Sequence, residues 1–119
     1  MSDEDKFEKA CSHFDKGEYF EAHEEWEDLW NEARGTRHAY LQGLIQAAVA
    51  LHHASRQNWA GTRKLLASSM DYLKKGNGGG DEVDSVQLIE LIIDFEIGLQ
   101  KHLADEQIEL PYFKLPRNR

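Results

Sequence analysis

The chain has 119 residues, 40% of them apolar and 30% charged, with a net charge of −8 at neutral pH. That length closes one hydrophobic core, so residues 1–119 are read as a single domain, and the composition excludes a low-complexity or disordered chain. The acidic balance argues against nucleic acid and against an anionic membrane as partners, since both are met by clustered Lys and Arg.

One cysteine, Cys11, cannot form an internal disulfide, and the acidic start Met1-Ser2-Asp3-Glu4-Asp5 lacks the basic and apolar segments of an export signal. The longest nearly apolar run, residues 43–51, falls short of the roughly 20 residues that span a bilayer. A cytoplasmic location is expected.

Phe7, Ala10, Cys11 and Phe14 recur at i, i+3, i+4 and i+7, one face of a short first helix that Gly17 ends. A second helix over residues 18–33 carries Tyr19, Ala22, Trp26, Leu29, Trp30 and Ala33 on one arc, before Gly35. Thr36 is placed to cap a third helix, residues 36–55, whose apolar residues wrap most of its circumference. Such a helix belongs at the centre of a bundle, and its small-residue face, Gly43, Ala47, Ala50 and Ala54, predicts close approach by a neighbour.

The fourth helix spans residues 58–75, with Trp59, Leu66, Met70 and Leu73 inward and Gly76 as its stop. Residues 76–80, four of them glycine, read as a flexible loop whose length matters little. Asp81 or Asp84 caps a fifth helix to about residue 104, with Leu88, Ile92, Phe95, Leu99 and Leu103 on its core face, and residues 110–116 read as an extended strap. No strand-period alternation and no internal repeat is visible. The expected fold is all-α, a compact bundle of about five helices with a largely buried central third helix.

Polar side chains on apolar arcs mark where chemistry would sit. Stepping about 100° per residue turns His23 into the apolar arc of the second helix, beside Trp30 and Tyr19, with Glu27 on its shoulder and Glu24 at the boundary. Glu21, Glu25, Asp28 and Glu32 form the opposite, solvated arc. In the third helix the same stepping gathers Gln42, Gln46 and His53 onto one polar stripe and sends His52 elsewhere, toward Leu41 and Ile45. Two inward polar sets must satisfy each other, because a buried unpaired group costs about 1–3 kcal/mol. His23, Glu24, Glu27, Trp30, Gln42, Gln46 and His53 are therefore the expected pocket residues, with Glu27 and His53 within one water of each other.

Several specific chemistries fail on spacing. In His23-Glu24-x-x-Glu27 a glutamate stands where a zincin needs its second histidine, and no histidine has a glutamate three residues before it, as a di-iron bundle requires. The glycine run lacks a following Lys-Ser or Lys-Thr, so it is no phosphate loop. Cys11 lies on a core stripe and reads as a small hydrophobe, and the three tryptophans read chiefly as core.

The combination Phe14-Asp15-x-Gly17-x-Tyr19-Phe20-Glu21-x-His23-Glu24-x-Trp26-Glu27-x-x-Trp30, with Gln42-Gly43-Leu44-Ile45-Gln46, His53 and Asn58, resembles the domain-of-unknown-function 309 family of small bacterial and archaeal proteins. The resemblance covers about residues 7–73 and implies a compact helical bundle with no established activity. Its motif residues fall here on Glu21, His23, Glu24, Glu27, Trp30, Gln42, Gln46, His53 and Asn58. Arg56-Gln57-Asn58 departs from the Gly-Asn that often precedes the fourth helix.

Two function classes remain. The favoured one is a non-enzymatic binding module for a protein or small-molecule ligand, with no cofactor and no metal; its oligomeric state is not legible. The alternative is an enzyme such as a metal-assisted hydrolase, with His23, Glu27 and His53 as ligands or acid and base and Gln46 orienting substrate.

Overall fold

The computed structural model describes residues 1–104 and 109–118. Its described helices are α1 (Asp3–Asp15), α2 (Tyr19–Trp30), α3 (Gly35–Ser55), α4 (Trp59–Lys75) and α5 (Ser85–Leu103). The main helix interfaces run in chain order, α1 on α2, α2 on α3, α3 on α4 and α5 on α4. No described helix is long and apolar enough to cross a membrane. The fold is the expected all-α bundle, and α3 is its centre, with ten buried residues.

The expected faces form for the expected reasons. In α1 the buried set is Phe7, Ala10, Cys11 and Phe14, and Ser2 caps the helix by accepting from the Asp5 N–H. Trp26 is fully buried, its ring centroid 6.0 Å from Phe7 and 6.1 Å from Phe14. Burial pushes the Cys11 thiol up to about 12, which withholds the thiolate a nucleophile needs. On the small-residue face of α3, Ser69 donates to the Gly43 carbonyl at 2.7 Å, and a methyl group on Gly43 would stand 2.7 Å from Leu73. That contact is why glycine is needed there.

The α1–α2 and α3–α4 connections use one device. Gly17 N–H donates to the Phe14 carbonyl and Glu18 N–H to His13; Gln57 N–H donates to Ala54 and Asn58 N–H to His53. Each is a Schellman turn with its pivot in the left-handed region, φ 80° at Gly17 and 61° at Gln57. His13 then meets Glu18 at 3.0 Å and His53 meets Asn58 at 3.1 Å. The repeat invisible in the sequence is thus a repeat of turn geometry, with residues of different type at the pivot. Gln57 bears a cost of about 1–2 kcal/mol for a left-handed L-residue, partly offset by the greater freedom glycine would have when unfolded. Gln57→Gly is expected to stabilise by about 0.5–1 kcal/mol, read as a rise of a few degrees in the unfolding midpoint. No rise would mean that the glutamine side chain makes a compensating bond.

Residues 76–80 correct the expectation of a free loop. Gly76 is buried against the Tyr40 backbone, Gly79 lies on the Thr36 carbonyl, and Gly80 sits against the Tyr40 ring and the Arg37 guanidinium. Glycine here serves close backbone approach to the first turns of α3. Composition shows only that a segment can flex, not what lies against it.

The same end of the bundle is tied by the C-terminal segment. Val83 and Arg117 form an isolated antiparallel bridge, Asp84 N–H donates to Pro116, and Leu115 N–H donates to the Asp15 carboxylate at 2.8 Å. Arg117 also pairs with Glu8 and donates to the Glu82 carbonyl. The Tyr40 hydroxyl accepts from Val83 N–H at 2.9 Å, and Arg37 forks onto Glu82 with two bonds of 2.9 Å. The strap reading therefore stands, and Asp84 is the α5 cap.

Burial pushes the Glu82 carboxyl up, but the Arg37 fork and local backbone donors outweigh it and hold it below its ordinary 4.5. A depressed folded-state value contributes stability above pH 4.5 that is lost as pH falls through that lower value. Thermal midpoints at pH 7, 5, 4 and 3 should therefore show wild type ahead of Glu82→Gln at neutral pH and the two converging in acid. An advantage undiminished at pH 3 would mean that the carboxylate charge is not its source.

Candidate functional site

The site is organised by the antiparallel pairing of α2 with α3. Trp30, at the end of α2, stacks on His38 near the start of α3 with centroids 4.4 Å apart. Phe20, at the start of α2, meets His52 near the end of α3 at 5.7 Å. Between these fixed points, Phe20, His23 and Trp30 mark the line of α2 that meets α3, with Glu27 on its shoulder. His38, Ile45 and His52, at seven-residue steps, form the facing line of α3.

This register assigns each expected residue a place. His23 Nε2 lies 3.4 Å from a Glu27 oxygen, and His23 Nδ1 lies 2.6 Å from the Phe20 carbonyl, so the ring is held from both sides. Glu27 itself is 52% exposed, so it is not the shielded carboxylate that helix stepping suggested, and Glu24, expected at the boundary, is exposed. Glu27 sits on the shoulder of α2, just outside the seam. Trp30 is half-buried, and its indole N–H is buried without a protein partner.

On α3, Gln42, Gln46, Val49 and His53 are all half-buried, between the line facing α2 and the small-residue line facing α4. They form an open stripe flanked by both neighbours. The Gln46 carboxamide oxygen is buried and has no hydrogen-bond partner in the protein. His53 turns toward α4: its Nδ1 lies 3.1 Å from the Asn58 amide nitrogen, while Asn58 Oδ1 accepts from Gly61 N–H as the α4 cap. It thereby orients the cap, and an alanine methyl at Gly61 would stand 3.1 Å from its ring.

Glu27 and His53 are consequently not brought together. No hydrogen bond or ion pair joins them among the described residues. The register puts Glu27 near the level of Gln42, on the order of 15 Å along the axis from His53. The histidine that does meet α2 is His52, which the stepping had sent elsewhere. The line toward Leu41 and Ile45 is the one that faces α2, so His52 follows it to Phe20.

His23, Phe20, His52 and His53, in that order, form a chain of rings with successive centroids 4.9, 5.7 and 6.3 Å apart. Burial lowers the His52 pKa below 6.5, with Arg56, His53 and His23 adding positive charge and Glu21 opposing them. His52 is thus neutral at pH 7, able to donate from one ring nitrogen and accept at the other. Among the described residues no three His, Cys, Asp or Glu side chains are grouped to hold a metal ion. Sequence reasoning missed Phe20, His38 and His52; the seven-residue spacing of His38, Ile45 and His52 was the available signal.

Comparison with known proteins places this seam inside a recognised segment. The uncharacterized protein YpuF of Bacillus subtilis (strain 168) is 36% identical over 97 residues, which cover 79% of this chain and 56% of the relative. The chain thus spans little more than half the length of that relative. A family model described as a domain of unknown function matches residues 7–65, taking in most of α1, all of α2 and α3, the first turns of α4 and every residue of the ring chain. That segment of the chain matches the domain-of-unknown-function 309 family.

Proposed function

We propose that the chain is a small, non-enzymatic binding module whose ligand lies on the α3 stripe of Gln42, Gln46 and His53, with His23, His52 and Phe20 at one end. The ligand is a protein segment or small molecule bearing amide or hydroxyl groups, matched to a surface of neutral donors and acceptors. One observation carries the reading: the Gln46 carboxamide oxygen is buried with no protein donor, at the edge of a half-buried stripe. A group left in that state costs about 1–3 kcal/mol, and sites kept for a ligand commonly bear such a cost.

Gln46→Leu removes the oxygen at similar volume. It is expected to raise stability by about 1 kcal/mol in denaturant titration. In nuclear magnetic resonance titrations with amide-bearing fragments, wild type should show shifts at Gln46, His23 and His52 that the variant lacks. A loss of stability on substitution would identify the carboxamide as a structural bond and remove the support for this site.

A further inference from the structure

α5 carries apolar residues on two opposite sides. Leu88, Ile92, Phe95 and Leu99 are buried against the bundle, and Gly98 lies under Pro111. Directly opposite, Val86, Ile93 and Ile97 share an arc of about 40° and point outward. Their exposures of 70%, 44% and 48% are unusual for β-branched aliphatics on an acidic, well-charged chain. The arc continues to Ala104, a length of about 27 Å.

The charges beside this arc indicate what covers it. Glu90, Asp94 and Lys101 are exposed and lie on the same flank, acidic toward the helix start and basic toward its end. Two parallel copies of α5 about a two-fold axis would set this flank against the opposite flank of the partner, so that Glu90 and Lys101 would not meet. Two antiparallel copies, related by a two-fold axis near Phe95, place Ile93 opposite Ile97 and adjoin the same flank of each. Glu90 of one copy then stands beside Lys101 of the other, twice over, and the helix dipoles oppose.

We propose that α5 is a self-association surface, through which two copies of this chain pair antiparallel by Val86, Ile93 and Ile97 with crossed Glu90–Lys101 contacts. A strip one helix wide is at the small end of specific interfaces, so the dimer is weak, with a dissociation constant on the order of 10–100 µM.

Sedimentation equilibrium of the full chain from about 5 µM to 1 mM tests this range. The mass is expected to rise from 13.7 kDa toward twice that value. Ile97→Asp, on the exposed arc, should keep the helical circular dichroism and weaken pairing by about 100-fold or more. Lys101→Glu should weaken it about 10-fold, and adding Glu90→Lys should restore it. A mass fixed at 13.7 kDa throughout, or a dimer indifferent to Ile97→Asp, would overturn the proposal. A double variant as weak as Lys101→Glu alone would overturn the antiparallel arrangement.

Discussion

Replacing Trp26 by alanine is expected to cost about 3–5 kcal/mol, a large part of the stability of a domain this size. The indole is fully buried between Phe7 and Phe14, and it is the piece of α2 on which α1 rests. Truncation removes apolar burial and leaves a cavity that two rings cannot fill without moving the helix. Trp26→Phe separates two contributions to that cost. The indole N–H has no protein partner, so the phenyl ring gives up volume while relieving a buried donor, and a loss of only about 1 kcal/mol is expected. Chemical denaturation of both variants checks the pair. Equal losses would show that the N–H is bonded in solution.

Gly79→Ala is expected to destabilise by about 3 kcal/mol, which lowers the thermal midpoint by roughly 12 °C in a chain of this length. The added methyl meets the Thr36 carbonyl and the Arg37 backbone nitrogen, and backbone atoms cannot rotate aside as a side chain would. The Arg37 bond to the Gly79 carbonyl, 3.2 Å, would be displaced with it. Gly78→Ala is the control: nothing lies near its missing side chain, and only its left-handed φ of 87° resists substitution. It should cost about 1–2 kcal/mol. If the two variants unfold together, residues 76–80 are not packed on α3.

That contrast marks the boundary of what the sequence conveys. Periodicity made the helices legible, because burial of Phe7, Ala10, Cys11 and Phe14 or of Leu88, Ile92, Phe95 and Leu99 depends only on local geometry, although Leu103, expected on the same face of α5, ends the helix exposed. Caps were less so: of the two aspartates offered for α5 the cap is Asp84, whereas Thr36 does not cap α3, which starts one residue earlier at Gly35 with no side-chain cap. Rotation of one helix against another was not. His52 and His53 differ by about 100° on α3, and which of them meets α2 is decided by the antiparallel register, not by either residue. His23 was placed correctly on the seam, whereas Glu27 was turned inward by a wheel that ignores how far a long side chain reaches toward water. Gln57 adopts a conformation usually given to glycine, so its turn followed from hydrogen bonds that no residue type announced.

The bond from Leu115 to Asp15 joins positions 100 apart, whereas the four helix interfaces join neighbours in the chain. Neighbouring helices close small loops and can assemble early, while a contact of that span is made only after the elements it joins are in place. Interactions absent from the transition state leave the folding rate unchanged and slow the reverse step. The Leu115, Arg117 and Asp15 contacts therefore act as a latch on a bundle that builds itself without them. They set how long the native state persists, not how readily it is found.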